Sequence, residues 1–177
     1  KFEVRDSKFE IVDMKVTLSW LREFVPIDLD TVSLCERLTM AGLEVEATEE
    51  IGAEIRAVLI GEIVSTCSHP SAERLTLCEV RTGSEGSVPV VCGATNMRAG
   101  DRVAYVPPGA SLPGGQRIEA AEIRGVASHG MLCSEAELGV SDDAAGILIL
   151  PVDAPLGERV GAYLGIEDTV LEIAVTP

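Results

Sequence analysis

The residues of this chain most capable of chemistry are its arginines, its two histidines and its five cysteines. Every basic residue from Arg56 to Arg124 is an arginine, the others being Arg74, Arg81, Arg98, Arg102 and Arg117. A guanidinium grips phosphate with two parallel hydrogen bonds and stacks on bases, so several gathered on one surface would form a phosphate-binding patch. Scattered, they are ordinary solvated charges, and composition by itself favours that reading. His69, His129 and some of the thiols can be written down as a zinc set, but there is no Cys-x-x-Cys pair and the spacings fit no structural zinc pattern. The sequence also lacks a P-loop, a nucleophile paired with a base, and carboxylates at a recognised metal spacing. These residues by themselves predict no catalytic residue and no metal site.

Such a surface needs elements to carry it. The 177 residues are 46% apolar but only 3% aromatic, with 17 Gly and 9 Pro, which favours aliphatic strands and many turns. The net charge of −15 excludes a generic basic nucleic-acid binder. That charge is uneven: −7 over residues 1–54, −4 over 55–150 and −4 over 151–177, while the window from Arg56 to Arg124 is neutral. Five cysteines, an odd number and several in apolar stretches, fit a reduced cytoplasmic protein with buried thiols. No apolar run approaches the ~18 residues of a membrane span.

Residues 1–13 contain a near-repeat, KFEVRDS-KFEIVD, and are expected to be an added or upstream leader before a natural start at Met14. A short strand over 15–19 then leads to a helical turn over 20–25. Asp30 is placed as N-cap of a helix over 31–41, with Gly42 just past its end, and residues 43–47 alternate like a strand. Six strands are expected in the middle region, over 55–64, 75–80, 88–91, 102–106, 118–123 and 147–150, with a short helix over 134–138. Beyond Pro151 the pattern gives a helix over 156–164 and a strand over 170–175. Neither flank has enough elements for a core of its own. The expected architecture is mainly β with an α+β flank: a β-barrel over residues 51–150 inserted into a small discontinuous α+β domain of residues 14–50 plus 151–177.

Four strings carry further information: HPSAERLTLCEV from His69, VVCGATNMRAG from Val90, GASLPGG from Gly109 and RGVASHGMLCSEAELG from Arg124. Each reads locally as turn chemistry. Together and in this order they resemble the tRNA-binding OB-fold domain shared by endothelial-monocyte-activating polypeptide and bacterial tRNA-binding proteins. Ser71 and Thr95 stand where that family often has Asn and Pro. The flanks MKVTLSWLREFVPID, ERLTMAGLEVE, GILILPVDAPLGERV and DTVLEIAVTP are similar to the beginning of bacterial phenylalanine-tRNA ligase beta subunits, which continue well past the Thr-Pro of Thr176-Pro177.

This resemblance implies tRNA as partner, rather than DNA or a membrane. It also implies a place beside an alpha subunit in an (αβ)2 heterotetramer that uses ATP and Mg2+, with the aminoacylation site outside this chain and no cofactor held within it. Phosphate contacts are expected from Arg74, Arg98, Arg117 and Arg124, with Asn96, Ser128, His129 and Ser134 as hydrogen-bonding neighbours. The alternative is a structural assembly module with little or no tRNA binding of its own, which the acidic charge favours. A free-standing tRNA-binding protein would explain the OB strings but not the flanks.

Overall fold

The computed structural model describes residues 12–83 and 86–175. Residues 1–11 of the expected leader, and the closing Thr176-Pro177, lie outside the described residues. The chain forms β1 (Val12–Thr17), α1 (Leu18–Phe24), α2 (Thr31–Met40) and β2 (Val45–Ile51). Then come β3 (Leu59–Ser68), β4 (Thr76–Arg81), β5 (Val88–Cys92) and β6 (Arg102–Val106). After these lie β7 (Ala120–Ile123), β8 (Val126–His129), β9 (Met131–Leu132) and β10 (Ile149–Leu150). The four-residue helix α3 (Val160–Tyr163) precedes the last strand, β11 (Asp168–Val175). These elements divide into two compact units, Gly52–Glu167 and the chain on either side of it.

The flanking unit is an antiparallel sheet in the order β1-β11-β2, with α1 and α2 supplying the rest of its core. Leu18 and Leu34 from the helices pack with Val16, Leu171 and Ile173 from the strands. α2 begins where expected because Asp30 Oδ1 accepts the Ser33 N–H at 2.9 Å. It ends where Gly42 turns left-handed at φ +93°, so that the Leu43 N–H returns to the Leu38 carbonyl at 2.9 Å. Asp168, at the start of β11, accepts hydrogen bonds from the backbone N–H (3.1 Å) and the hydroxyl of Ser19 in the first turn of α1. Desolvation pushes the Asp168 carboxyl up, but the bonds from Ser19 and from the Thr169 N–H outweigh it and hold the group below its usual range.

The inserted unit is a nearly closed, OB-like barrel with strand order β10-β6-β3-β4-β5, and β9 also pairs with β6. The long strand β3 serves two neighbours, pairing β6 over Leu59–Glu62 and β4 over Glu62–Ser68, with a register shift between Ile63 and Ser65 that bends it from one to the other. Val103 and Tyr105 of β6 join Ile63, Val80 and Val90 in one buried cluster. Ala104 and Val106, on the opposite face of β6, join Ile60, Leu112, Leu150 and Val160 in another. The second cluster explains where the unit ends.

The boundary expected at Pro151 lies between Glu167 and Asp168, because the segment after β10 covers the outer face of β3 and β6. Val160 is fully buried there, and the Gly157 N–H bonds the Ile60 carbonyl at 2.8 Å. Other expectations shift for local reasons. The strand placed over 55–64 starts at Leu59, since a left-handed Gly52 leads into a 3-10 turn over Ala53–Ile55. The helix placed over 156–164 shrinks to α3. The one over 134–138 is a single capped turn, and β8 and β9 occupy a stretch read as loop.

Gly130 is one of the tightest points of the barrel unit: a Cβ there would lie 2.3 Å from the Val106 carbonyl oxygen, at φ +103°. Gly130→Ala is expected to cost more than about 2 kcal/mol in denaturant unfolding, against about 1 kcal/mol for Gly42→Ala, whose Cβ meets open space. The lowered Asp168 carboxyl gives stability that is fully present above the unfolded value of 3.8 and lost as pH falls through the folded value. Asp168→Asn is therefore expected to flatten the acid limb of stability below that pH, read from the fluorescence of Trp20, the single tryptophan.

Candidate nucleic-acid interface

The six arginines from Arg74 to Arg124 separate by their partners. Arg81 (3.0 Å) and Arg102 both bond Glu62 Oε2, a bridge between strands that holds the Glu62 carboxyl below its usual range. Hydrogen bonding from Arg81 is the largest cause, with Arg102 adding to it against desolvation. These two are structural. Arg98, itself almost fully exposed, pairs with Asp101 at 3.3 Å, and Arg117 lies 3.8 Å from Glu119 with both side chains exposed. Arg74 and Arg124 have no ion-pair partner among the described residues.

Arg74 and Arg124 come from loops that are tied together. The loop joining β3 and β4 is closed by the His69 N–H on the Leu75 carbonyl at 3.0 Å, next to Arg74. Arg124 sits at the tip of the β7–β8 hairpin at φ +49°, followed by Gly125 at φ +86°. Two consecutive left-handed residues make the turn that matches strand twist, so an arginine is forced outward at this tip. The buried His69 ring joins the two: Nδ1 accepts the Ser71 N–H at 3.1 Å, which leaves the protonated Nε2 to donate to the Ile123 carbonyl at 3.0 Å. His69 is thus a latch between loops, and both its nitrogens are engaged.

An open groove of about 800 Å³ runs between the end of β5 and the hairpin. Of the expected contact residues, Arg117, Ser128 and Ser134 line it. Ser128 is buried: its oxygen accepts the Val91 N–H at 3.1 Å and its hydroxyl donates to the Gly130 carbonyl at 3.3 Å, which fastens the hairpin to β5. Ser134, also buried, forms a reciprocal cap with Glu137. Its N–H and hydroxyl donate to Glu137 Oε2 at 2.7 and 2.8 Å, and its own oxygen accepts the Glu137 N–H at 3.2 Å. The Asn96 side chain brackets one residue of the facing loop, donating to the Ile147 carbonyl at 2.9 Å and accepting its N–H at 3.1 Å. Ser128 and Ser134 are thus buried groups that hold loops in place, and Asn96, which stays exposed, ties its loop to the facing one. His129 is exposed on β8, and its carbonyl takes the Tyr105 hydroxyl at 2.8 Å.

The sequence reading passes over His69 as a contact organiser and Glu137 altogether, although Ser134-Glu-Ala-Glu137 carries the spacing of a capping box. Burial pushes the Cys78 and Cys133 thiols up to about 12, which suppresses the thiolate a nucleophile needs. Among the described residues no three His, Cys, Asp or Glu side chains converge on a metal-sized point. His69→Ala is expected to cost about 1–3 kcal/mol. It should also speed amide exchange at Ser71 while leaving Cys78, in the β3–β4 ladder, protected; native-state hydrogen exchange checks both.

Comparison with known proteins extends the geometry. A family model described as "Putative tRNA binding domain" matches residues 58–159, more than half of the chain and nearly all of the barrel. The chain is 48% identical to a phenylalanine-tRNA ligase beta subunit of Syntrophus aciditrophicus over 164 residues, which are 93% of this chain and 20% of that protein. It is 47% identical to the one of Geobacter metallireducens and 46% to the one of Dickeya dadantii, over the same share of this chain and 20% and 21% of theirs. It thus spans about a fifth of the length of these relatives. Among solved structures, a MetRS related protein from Pyrococcus horikoshii superposes with a TM-score of 0.43 at 15% identity, covering 76% of this chain and 99% of that one. With its barrel matched end to end by the family model, the chain belongs to this tRNA-binding domain family.

Proposed function

We propose that this chain is the N-terminal tRNA-contacting region of a phenylalanine-tRNA ligase beta subunit and holds tRNA through its phosphates. The observation that carries the reading is the latch of His69, which joins the loops of Arg74 and Arg124. In a five-stranded OB barrel, nucleic acid lies across the second and third strands and the loops between strands one and two and between four and five. Here β3 to β6 are strands one to four, and β9 with β10 takes the place of the fifth. The 69–75 loop and the hairpin are therefore the two binding loops. Each carries a guanidinium without an acidic partner among the described residues. Arg98 and Arg117 add charge only by exchanging Asp101 and Glu119 for phosphate.

The aminoacylation chemistry, with ATP and Mg2+, belongs in this reading to the alpha subunit of an (αβ)2 complex in the cytoplasm, and this chain is inert alone. Association with further protein is supported by the flanking unit. It exposes Trp20 and Phe24, stacked edge to face at 5.0 Å, together with Val32 and Met40. Among the described residues no helix is long and apolar enough to cross a membrane.

Titrating tRNA against the chain at several salt concentrations tests the reading. Affinity is expected to fall steeply with salt, with the slope reduced by roughly 0.7–0.9 for each of Arg74→Gln and Arg124→Gln. Arg37→Gln on α2 should leave it unchanged. Absence of binding at low salt would overturn the proposal.

A further inference from the structure

Resting on the tRNA-contacting reading, we propose that the groove between β5 and the β7–β8 hairpin takes one unpaired nucleotide base. Glu137 there selects a base bearing an exocyclic amine. The size suits one flat group, since pockets of about 300–1,000 Å³ hold small ligands and this groove has about 800 Å³. Its walls are cut back to small residues: Gly93, Ala94, Ala121, Ala145 and Gly146 all line it. Ile123 and Ile147 supply apolar contact in place of aromatic stacking.

Charge decides what enters. The groove carries Arg117 but also Glu119 and Glu137, so a phosphate inside it would face two carboxylates. Phosphates are attracted instead to Arg124 at the hairpin tip, beside the groove-lining Ile123. Backbone outside and base inside is the arrangement that satisfies both. Glu137 is fixed by Ser134, which occupies its Oε2 with two hydrogen bonds; Oε1 has no partner among the described residues. An ionised carboxylate oxygen only accepts, so it favours the N4 amine of cytosine over the O4 carbonyl of uracil in the same position. Adenine offers an equivalent amine.

The test compares cytidine and uridine hexaribonucleotides by fluorescence anisotropy on the intact chain, with tRNA measured in parallel. The expected result is about tenfold tighter binding of the cytidine hexamer. Glu137→Gln keeps an acceptor for Ser134 and turns an amide NH2 toward the groove, so the preference should vanish or invert, with the melting curve confirming an intact fold. Ala121→Phe, at an exposed position, should fill the groove and remove hexamer binding while the salt-dependent tRNA affinity persists. Equal affinity for the two hexamers, or a cytidine preference that survives Glu137→Gln or Ala121→Phe, overturns the groove assignment while tRNA binding still stands. Loss of tRNA binding itself at low salt brings down both readings.

Discussion

Everything in the inserted unit follows from one constraint, the burial of β6 on both faces. A strand whose alternate residues are all apolar must be covered on each side, and Val103, Ala104, Tyr105 and Val106 are all buried. The barrel interior takes Val103 and Tyr105, and the segments after β6 and after β10 take Ala104 and Val106. Each valine contributes about 1.5–3 kcal/mol by leaving water. That burial draws the backbone close at two glycines. A side chain on Gly130 would strike the Val106 carbonyl, and one on Gly157 would approach the Thr82 carbonyl to 2.2 Å. The Tyr105 hydroxyl donates to the His129 carbonyl just before the neighbouring β9, so the strand that organises the core also anchors the base of the hairpin.

The polar residues of the motif strings divide the labour differently from a surface patch. His69, Ser128 and Asn96 hold loops in place by hydrogen bonds to backbone groups, and Ser134 does so through its cap with Glu137. What they position is a pair of arginines at loop tips and a groove beside them. A chain of net charge −15 thus still presents two arginines without an acidic partner among the described residues. The acidic excess lies chiefly in the flanks, and within the barrel Glu62 takes up Arg81 and Arg102. In the proposed reading, attraction to phosphate comes from the few guanidiniums left outside these pairs, and such attraction is strongly salt-dependent.

Much of the fold was legible in the residues. Asp30 and Gly42 mark α2 because a short carboxylate can cap N–H groups and a glycine can turn left-handed, and both effects act within a few residues. The strands 75–80, 88–91 and 102–106 fall within a residue of β4, β5 and β6 because aliphatic runs between turns leave the chain few alternatives. The hairpin strand β8 was not legible. Its residues Val126–His129 are largely exposed, and it is held by Tyr105 and Ser128 rather than by an apolar pattern of its own.

The sequence by itself carried the resemblance to the tRNA-binding OB domain in its four ordered strings, and it determined the all-arginine basic set of the barrel and the local caps, which depend on residue type and short spacing. Only the tertiary structure decided which arginines are free. Glu62 lies 19 and 40 residues from its partners, and His69 lies 54 from Ile123. Contacts over such separations are set by how β3 bends between β4 and β6, and no spacing rule along the chain encodes that bend.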